Sequence, residues 1–321
     1  MKTIKLFKIL LLSILFSTLG LTSCVEEVVQ PKADYTKILM DYMKANQLDI
    51  SNVTTTWTIE AAALNTAGVT NYYIIDLRSA TDYASAHIEG AVNSTVANVL
   101  TTAQNAGTKP IVVVCYTGQN AAYALAALRL SGYTTSKILK WGMSSWGPTY
   151  DKISVNVSSQ AVGNANWSST NTIKTPVTFS LPVLTATDTI GANILKERVQ
   201  YMLTKGLQTA KAVDVLADPT KFFINNYWTE ADVAVYGHIK GAYRLNETLK
   251  LSDAVGFKNL DANSTVLSYC WTGQTSAILS GYLTVLGYDA KSISFGANAL
   301  VHANLLKNKW VAPTTDLPTV K

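Results

Sequence analysis

Cysteine is the side chain of this sequence best placed to act as a nucleophile. Two of its three cysteines open nearly identical strings, Cys115-Tyr116-Thr117-Gly118-Gln119-Asn120-Ala121 and Cys270-Trp271-Thr272-Gly273-Gln274-Thr275-Ser276. In both, a β-branched apolar run leads in and a run of small and apolar residues leads out. That pattern predicts a strand delivering a thiol to a tight loop, with a helix directly behind it. Such a loop turns several backbone N–H groups toward its centre, and with the positive end of the helix dipole it favours negative charge on sulfur. A thiolate forms more readily there and attacks soft electrophiles. Gly118 and Gly273 let the backbone curl without a Cβ clash. A sulfur atom added to either cysteine would be cradled as an anion by the same donors. Buried cysteines that only fill core space are the plain alternative. Two at equivalent places, each followed by x-Thr-Gly-Gln, argue against it.

The elements that position these loops repeat as well. The first half runs Tyr73-Ile74-Ile75-Asp76-Leu77-Arg78, His87-Ile88-Glu89-Gly90-Ala91, Ile111 to Cys115, Gly132-Tyr133 and Trp141-Gly142. The second runs Ala212-Val213-Asp214-Val215, His238-Ile239-Lys240-Gly241-Ala242, Thr265 to Cys270, Gly287-Tyr288 and Phe295-Gly296. Aligned this way, the second half carries an extra aromatic stretch before its histidine (Phe222, Phe223, Tyr227, Trp228). Short apolar runs such as Ile111-Val112-Val113-Val114 fit strands buried on both faces of a parallel sheet. Ala121 to Leu130 reads as a helix stopped by Gly132, and Ser276 to Leu286 matches it. Strands alternating with helices predict an α/β fold in each half, a mainly parallel sheet flanked by helices. Tyr35 to Leu48 reads as a leading helix. The stretch 151–185, rich in Ser, Asn and Thr with Pro176 and Pro182, reads as a linker, with Val177-Thr178-Phe179 as a candidate strand.

These motifs resemble the tandem rhodaneses, sulfurtransferases built of two α/β domains. The family's Asp-x-Arg, acidic-aromatic pair and His-Ile-x-Gly-Ala appear as Asp76-Leu77-Arg78, Asp82-Tyr83 and His87 to Ala91. Its loop motif appears as Cys115 to Ala121. The resemblance implies rhodanese-like domains at 57–150 and 186–312, and a persulfide on Cys115 and Cys270, carried from a small sulfur donor to a thiol or cyanide with no cofactor. It places Tyr116 to Ala121 and Trp271 to Ser276 around the substrate, with packing of Tyr116 and Trp271 against the neighbouring domain an equal alternative, and Asp76, Arg78 and Asp214 as braces of the loops. The second half departs from it, since Asp214-Val215-Leu216 lacks the arginine. Taken as a surface pair worth roughly 0–1 kcal/mol, that loss bears on local geometry more than on chemistry. Neither loop carries Arg or Lys, so thiosulfate is expected to be a poor donor. Related cysteine phosphatases and arsenate reductases clamp an oxyanion with an arginine at the end of the loop, where Ala121 and Ser276 stand. Two other readings compete: a binding module that kept the fold, and a thiol redox sensor at the cell envelope. His87 and His238 read as scaffold corners, His302 as incidental, and the three are too dispersed for a metal site.

The ends of the chain address location. Lys2, Lys5 and Lys8 precede an apolar stretch from Ile9 to Leu21 that is too short to span a bilayer, which takes roughly 20 residues. Residues 1–24 read as a signal peptide. Leu21-Thr22-Ser23-Cys24 resembles the bacterial lipobox, which implies lipid on Cys24 and an exported protein, periplasmic or surface-facing, held on a membrane. A tether and the leading helix would fill 25–56, and a tail 313–321. Without the signal's three lysines, 23 basic groups face 21 acidic ones. No basic run remains, which argues against nucleic acid as a partner. Cys115 and Cys270 sit at equivalent points of a duplicated fold, which disfavours a disulfide between them.

Overall fold

A helix made mostly of small and apolar residues is buried nearly all round, and the helices behind the two cysteines are of this kind. In the computed structural model, which describes residues 33–170, 173–253 and 255–321, the helices Gln119–Leu130 and Gln274–Val285 each pack on their own sheet and against one another. Small residues permit the approach: a Cβ on Gly281 would stand 3.3 Å from that of Ala126. One buried cluster runs through both helices and both sheets, from Ile75 and Val113 through Leu125 and Leu279 to Val266.

The first sheet holds β1 (Thr58–Ile59), β2 (Tyr73–Asp76), β3 (Val92–Asn93), β4 (Ile111–Val114) and β5 (Lys137–Leu139), in the order β1-β5-β4-β2-β3, all parallel. After the short strand β6 (Trp167–Ser168), the second half supplies β7 (Thr209–Ala210), β8 (Phe223–Asn226), β9 (His238–Ile239), β10 (Tyr243–Arg244), β11 (Val266–Tyr269) and β12 (Ala290–Ile293). Its parallel sheet runs β10-β8-β11-β12-β7, the same order as the first sheet read from the other edge. Each half is therefore an α/β layer with a parallel sheet flanked by helices. The thiol strand of each half, β4 or β11, is central and buried throughout, as strands covered on both faces must be.

The second half departs from the expected register. Asp214 ends no strand; it lies exposed in the first turn of the helix Ala212–Ala217. Ala212, Val215 and Leu216 are buried at helical spacing, so the apolar-acidic alternation of Val213-Asp214-Val215 was misleading. The strand beside β11 is β8, and Asn226 at its end is the counterpart of Asp76. His87 lies eleven residues beyond Asp76 and His238 twelve beyond Asn226, so the extra stretch disappears. Asp214 braces no loop.

Asp76 and Arg78 form a buried pair, not a surface one, with side chains 1% and 4% exposed. Arg78 Nη2 donates to Asp76 Oδ2 at 2.7 Å and to the Ala86 carbonyl at 2.7 Å, and Nε reaches the same carboxylate at 3.0 Å. In the second half Asn226 and Trp228 replace the pair. There the indole N–H of Trp228 and His238 Nε2 are buried without a hydrogen-bond partner among the described residues.

The halves exchange their C-terminal extensions. Residues after the first sheet cover the second half: Ala161 N–H donates to Leu300 O at 2.9 Å, and β6 pairs antiparallel with β9, Ser168 opposite His238. Residues after the second sheet return to the first half: His87 and Val320 exchange backbone bonds of 2.9 Å, and Trp146 Nε1 donates to Pro318 O at 2.9 Å. The candidate strand Val177-Thr178-Phe179 is instead a loop, tied by Phe179 N–H to Lys258 O at 2.7 Å. Deleting 313–321 is expected to lower the melting temperature by ~5 °C or more, as the loss of ~2 kcal/mol would in a unit of this size. An unchanged melting curve would show that the tail is not part of the first half.

Candidate active site

Each thiol sits where a parallel strand stops and a helix begins. β4 ends at Val114, Cys115 follows, and the next helix starts at Gln119. β11, Cys270 and Gln274 repeat the arrangement. The residues that turn the chain into each helix, Gly118 and Gly273, have φ of +83° and +76°, the left-handed region where a Cβ is penalised. The turn brings amides to the sulfur. Cys115 Sγ accepts from Gly118 N–H at 3.1 Å and Ala121 N–H at 3.4 Å. Cys270 Sγ accepts from Ser276 N–H at 3.3 Å and faces Ser276 Oγ at 3.4 Å, a hydroxyl that also meets Ser292 Oγ at 2.7 Å. Both thiols are free, with Cys115 2% and Cys270 1% exposed.

Burial pushes the Cys115 thiol above its ordinary value, while the amides of Ala121, Thr117, Gly118 and Asn120 pull it down. Burial prevails. The resting sulfur is thus a protonated thiol at neutral pH, and the thiolate expected from the sequence is not its resting state. The donors are present, but desolvation of a charged sulfur outweighs them.

A strap holds each loop from behind. Trp141 and Phe295 adopt φ of 67° and 62°, an uncommon conformation for bulky residues, which costs of order 1–3 kcal/mol. The glycines that follow pass directly under the cysteines. A Cβ on Gly142 would lie 2.3 Å from Cys115 O and 2.7 Å from Gly118 N; on Gly296, 2.3 Å from Cys270 O and 2.8 Å from Gly273 N. Met143 N–H then donates to Cys115 O at 2.8 Å, and Ala297 N–H to Cys270 O at 2.9 Å. Ser144 Oγ holds the Tyr116 carbonyl and Asn298 Nδ2 that of Trp271, each at 2.8 Å. The sequence marked Trp141-Gly142 and Phe295-Gly296 as repeats, but this supporting role was not foreseen.

The rims differ. Tyr116 OH donates to Asp82 and accepts from Ser79 N–H at 3.1 Å. Hydrogen bonds from Ser79 and Tyr116 hold the Asp82 carboxyl below its ordinary value. Trp271 stacks on Trp228 at 4.7 Å, with Lys307 Nζ 4.9 Å from its ring centre and 2.5 Å from Asp232. Thr117 Oγ1 accepts from Gln119 Nε2 and Thr272 Oγ1 from Gln274 N–H, both at 3.2 Å. Asn120 is exposed and Thr275 half-buried beside them. Asp76 ends β2 beside the loop strand and Arg78 follows it, but their side chains bond each other and the Ala86 carbonyl and not the Cys115 loop; Asn226 and Trp228 hold the matching places in the second half and were missed. The helix-capping pattern Thr229-x-x-Asp232, which repeats Ser79-x-x-Asp82, could have located them.

Neither His87 nor His238 bonds a thiol. His87 Nδ1 meets Tyr83 O and His238 Nδ1 meets Ile239 O, both at 2.9 Å. His302 Nε2 meets the Trp310 carbonyl at 3.0 Å. Among the described residues no group of His, Cys, Asp and Glu gathers as a metal site, and no helix is long and apolar enough to cross a membrane. Cys24 lies outside the described residues.

Residues 59–148 match the family model of the Rhodanese-like domain. No curated protein matches the chain. Among solved structures, a rhodanese-related protein from Thermoplasma volcanium is 22% identical, covering 28% of this chain and 89% of that one, with a TM-score of 0.26. A rhodanese-like domain protein from Staphylococcus aureus is 17% identical over 29% and 92%, at 0.24. A thiosulfate sulfurtransferase from Pseudomonas aeruginosa is 14% identical over 89% of this chain, at 0.30, and the match spans half the length of that protein. The matched segment runs from the end of β1 through β5 and includes the Cys115 loop and its strap.

Two outcomes are expected. Gly142→Ala should destabilise the protein more than Gly163→Ala, which shares a positive φ of +78° but has nothing within 4 Å of its Cβ; equal losses in urea denaturation would refute the strap. Alkylation of Cys115, followed by peptide mass mapping, should rise with pH through a midpoint above that of a free cysteine peptide. A midpoint below it would mean that the amides prevail over burial.

Proposed function

We propose that the protein is a sulfurtransferase that carries sulfane sulfur on Cys115. The observation that carries this reading is the Cys115 sulfur under a helix N-terminus, bonded by the Gly118 and Ala121 amides. The match of residues 59–148 to the rhodanese-like family supports it. Cys115 gives up its proton and attacks the outer sulfur of a donor R–S–S⁻. The donor's S–S bond breaks, RS⁻ leaves and takes the proton, and Cys115–S–S⁻ remains. An acceptor thiolate or cyanide then attacks the outer sulfur, the Cys115 S–S bond breaks, and the cysteine thiolate is released. A persulfide is more acidic than a thiol. Amides too few to ionise the buried resting thiol are therefore better matched to the charged intermediate.

The second half is proposed as a second copy of the domain with a weaker site. Cys270 receives one backbone N–H where Cys115 receives two, and its flank lacks the Asp76–Arg78 pair. That favours a lesser or purely structural role for Cys270. The Asp82 carboxylate at the first rim and the absence of Arg or Lys from both loops favour thiol-bound sulfur over dianionic thiosulfate. Lipid on Cys24 would hold the protein at the membrane surface of the cell envelope.

Steady-state transfer tests the reading, with thiosulfate, mercaptopyruvate and glutathione persulfide as donors. Cys115→Ser is expected to abolish transfer, Cys270→Ser to keep the larger share, and glutathione persulfide to exceed thiosulfate. Transfer that survives in the double variant would exclude both thiols as carriers.

A further inference from the structure

The two loops touch through exchanged glutamines. Gln119 and Gln274 are the first residues of their helices, and both are buried. Gln274 leaves its own loop, and its Nε2 donates to the Thr117 carbonyl of the other at 3.1 Å. Gln119 Oε1 accepts from Phe295 N–H, in the strap behind Cys270, at 3.0 Å. The glycine turns make room for this: a Cβ on Gly118 would stand 2.7 Å from Gln274 Nε2, and one on Gly273 2.5 Å from Gln119 Oε1.

The two contacts act at different removes. The Thr117 carbonyl and the Gly118 N–H belong to one trans peptide unit, so they point in opposite directions and cannot turn independently. Fixing the carbonyl outward aims the N–H inward, where it meets Cys115 Sγ at 3.1 Å. Gln119 reaches Cys270 only through the strap, by way of Phe295 and the Ala297 N–H on Cys270 O.

We propose that Gln274, from the second half, is a positioning residue for the Cys115 thiol of the first: by holding the Thr117 carbonyl it keeps the Gly118 N–H on the sulfur. The inference needs only the geometry of the loop and stands whether or not Cys115 carries sulfur. Gly118 is among the amides that pull the buried thiol down, so releasing it leaves burial less opposed. The charged groups nearby do not involve Gln274. Asp76 and Arg78 neutralise each other at the end of β2, Asp82 is bonded to Ser79 and Tyr116, and Lys152 lies beyond Asp82.

The test is the pH profile of Cys115 alkylation by iodoacetamide in the full chain, read by peptide mass mapping so that Cys24 and Cys270 are scored separately. Gln274→Met fills the space without a donor. It is expected to raise the midpoint by about one pH unit, the scale of one hydrogen bond to a charged group. Gln274→Lys keeps a donor of similar reach and adds a positive charge, and is expected to hold the midpoint at or below the wild-type value. If the Met variant does not fold, Gln274→Asn, too short to reach Thr117, replaces it with the same expectation. Loosened packing alone would lower the melting temperature and change the high-pH rate without moving the midpoint. A midpoint unmoved in the donor-less variant, or moved equally in the Lys variant, overturns the proposal.

Discussion

A sulfur atom buried between strand and helix can carry charge only if backbone amides reach it, and those amides must themselves be held. The Cys115 loop depends on that constraint. Gly118 turns the chain so that its N–H and that of Ala121 face Sγ. Gly142 passes beneath the cysteine carbonyl with no room for a side chain, and Met143 and Ser144 fix the carbonyls of the loop. Because the thiol is buried, each amide counts for more than it would in water. Burial also works against ionising it and outweighs the amides. The balance suits a group that gains charge during a reaction better than one charged throughout.

The pseudo-symmetric pairing supplies the rest. The two loop helices share one core, each half is completed by the other's C-terminal extension, and the loops meet through Gln119 and Gln274. The halves nonetheless differ where it matters. A buried ion pair follows the end of β2, whereas Asn226, which ends β8, and Trp228 just beyond it carry buried polar atoms with no partner among the described residues. Breaking such a buried pair from one side costs roughly 3–5 kcal/mol, and the second half has no ion pair at the matching place.

Much of this was legible in the sequence, for physical reasons. The runs of small and apolar residues after each cysteine announced buried helices, the valine run of β4 a doubly covered strand, and the repeated x-Thr-Gly-Gln a shared loop. The register of the second half was not legible, because Val213-Asp214-Val215 imitates a strand ending in an acid while β8 itself ends in two asparagines. The resting state of the thiol was also missed, since loop geometry shows in sequence and the depth of burial does not. The exchanged glutamines depend on how two halves dock, and no local pattern encodes that.

The most direct measurement is the intact mass of the purified protein after brief exposure to a persulfide donor and removal of excess, with the modified peptide identified. The account predicts a gain of one sulfur atom, located on Cys115 and lost again on adding an acceptor thiol. A protein that gains no sulfur at Cys115, or carries it in a form that no thiol removes, would contradict it.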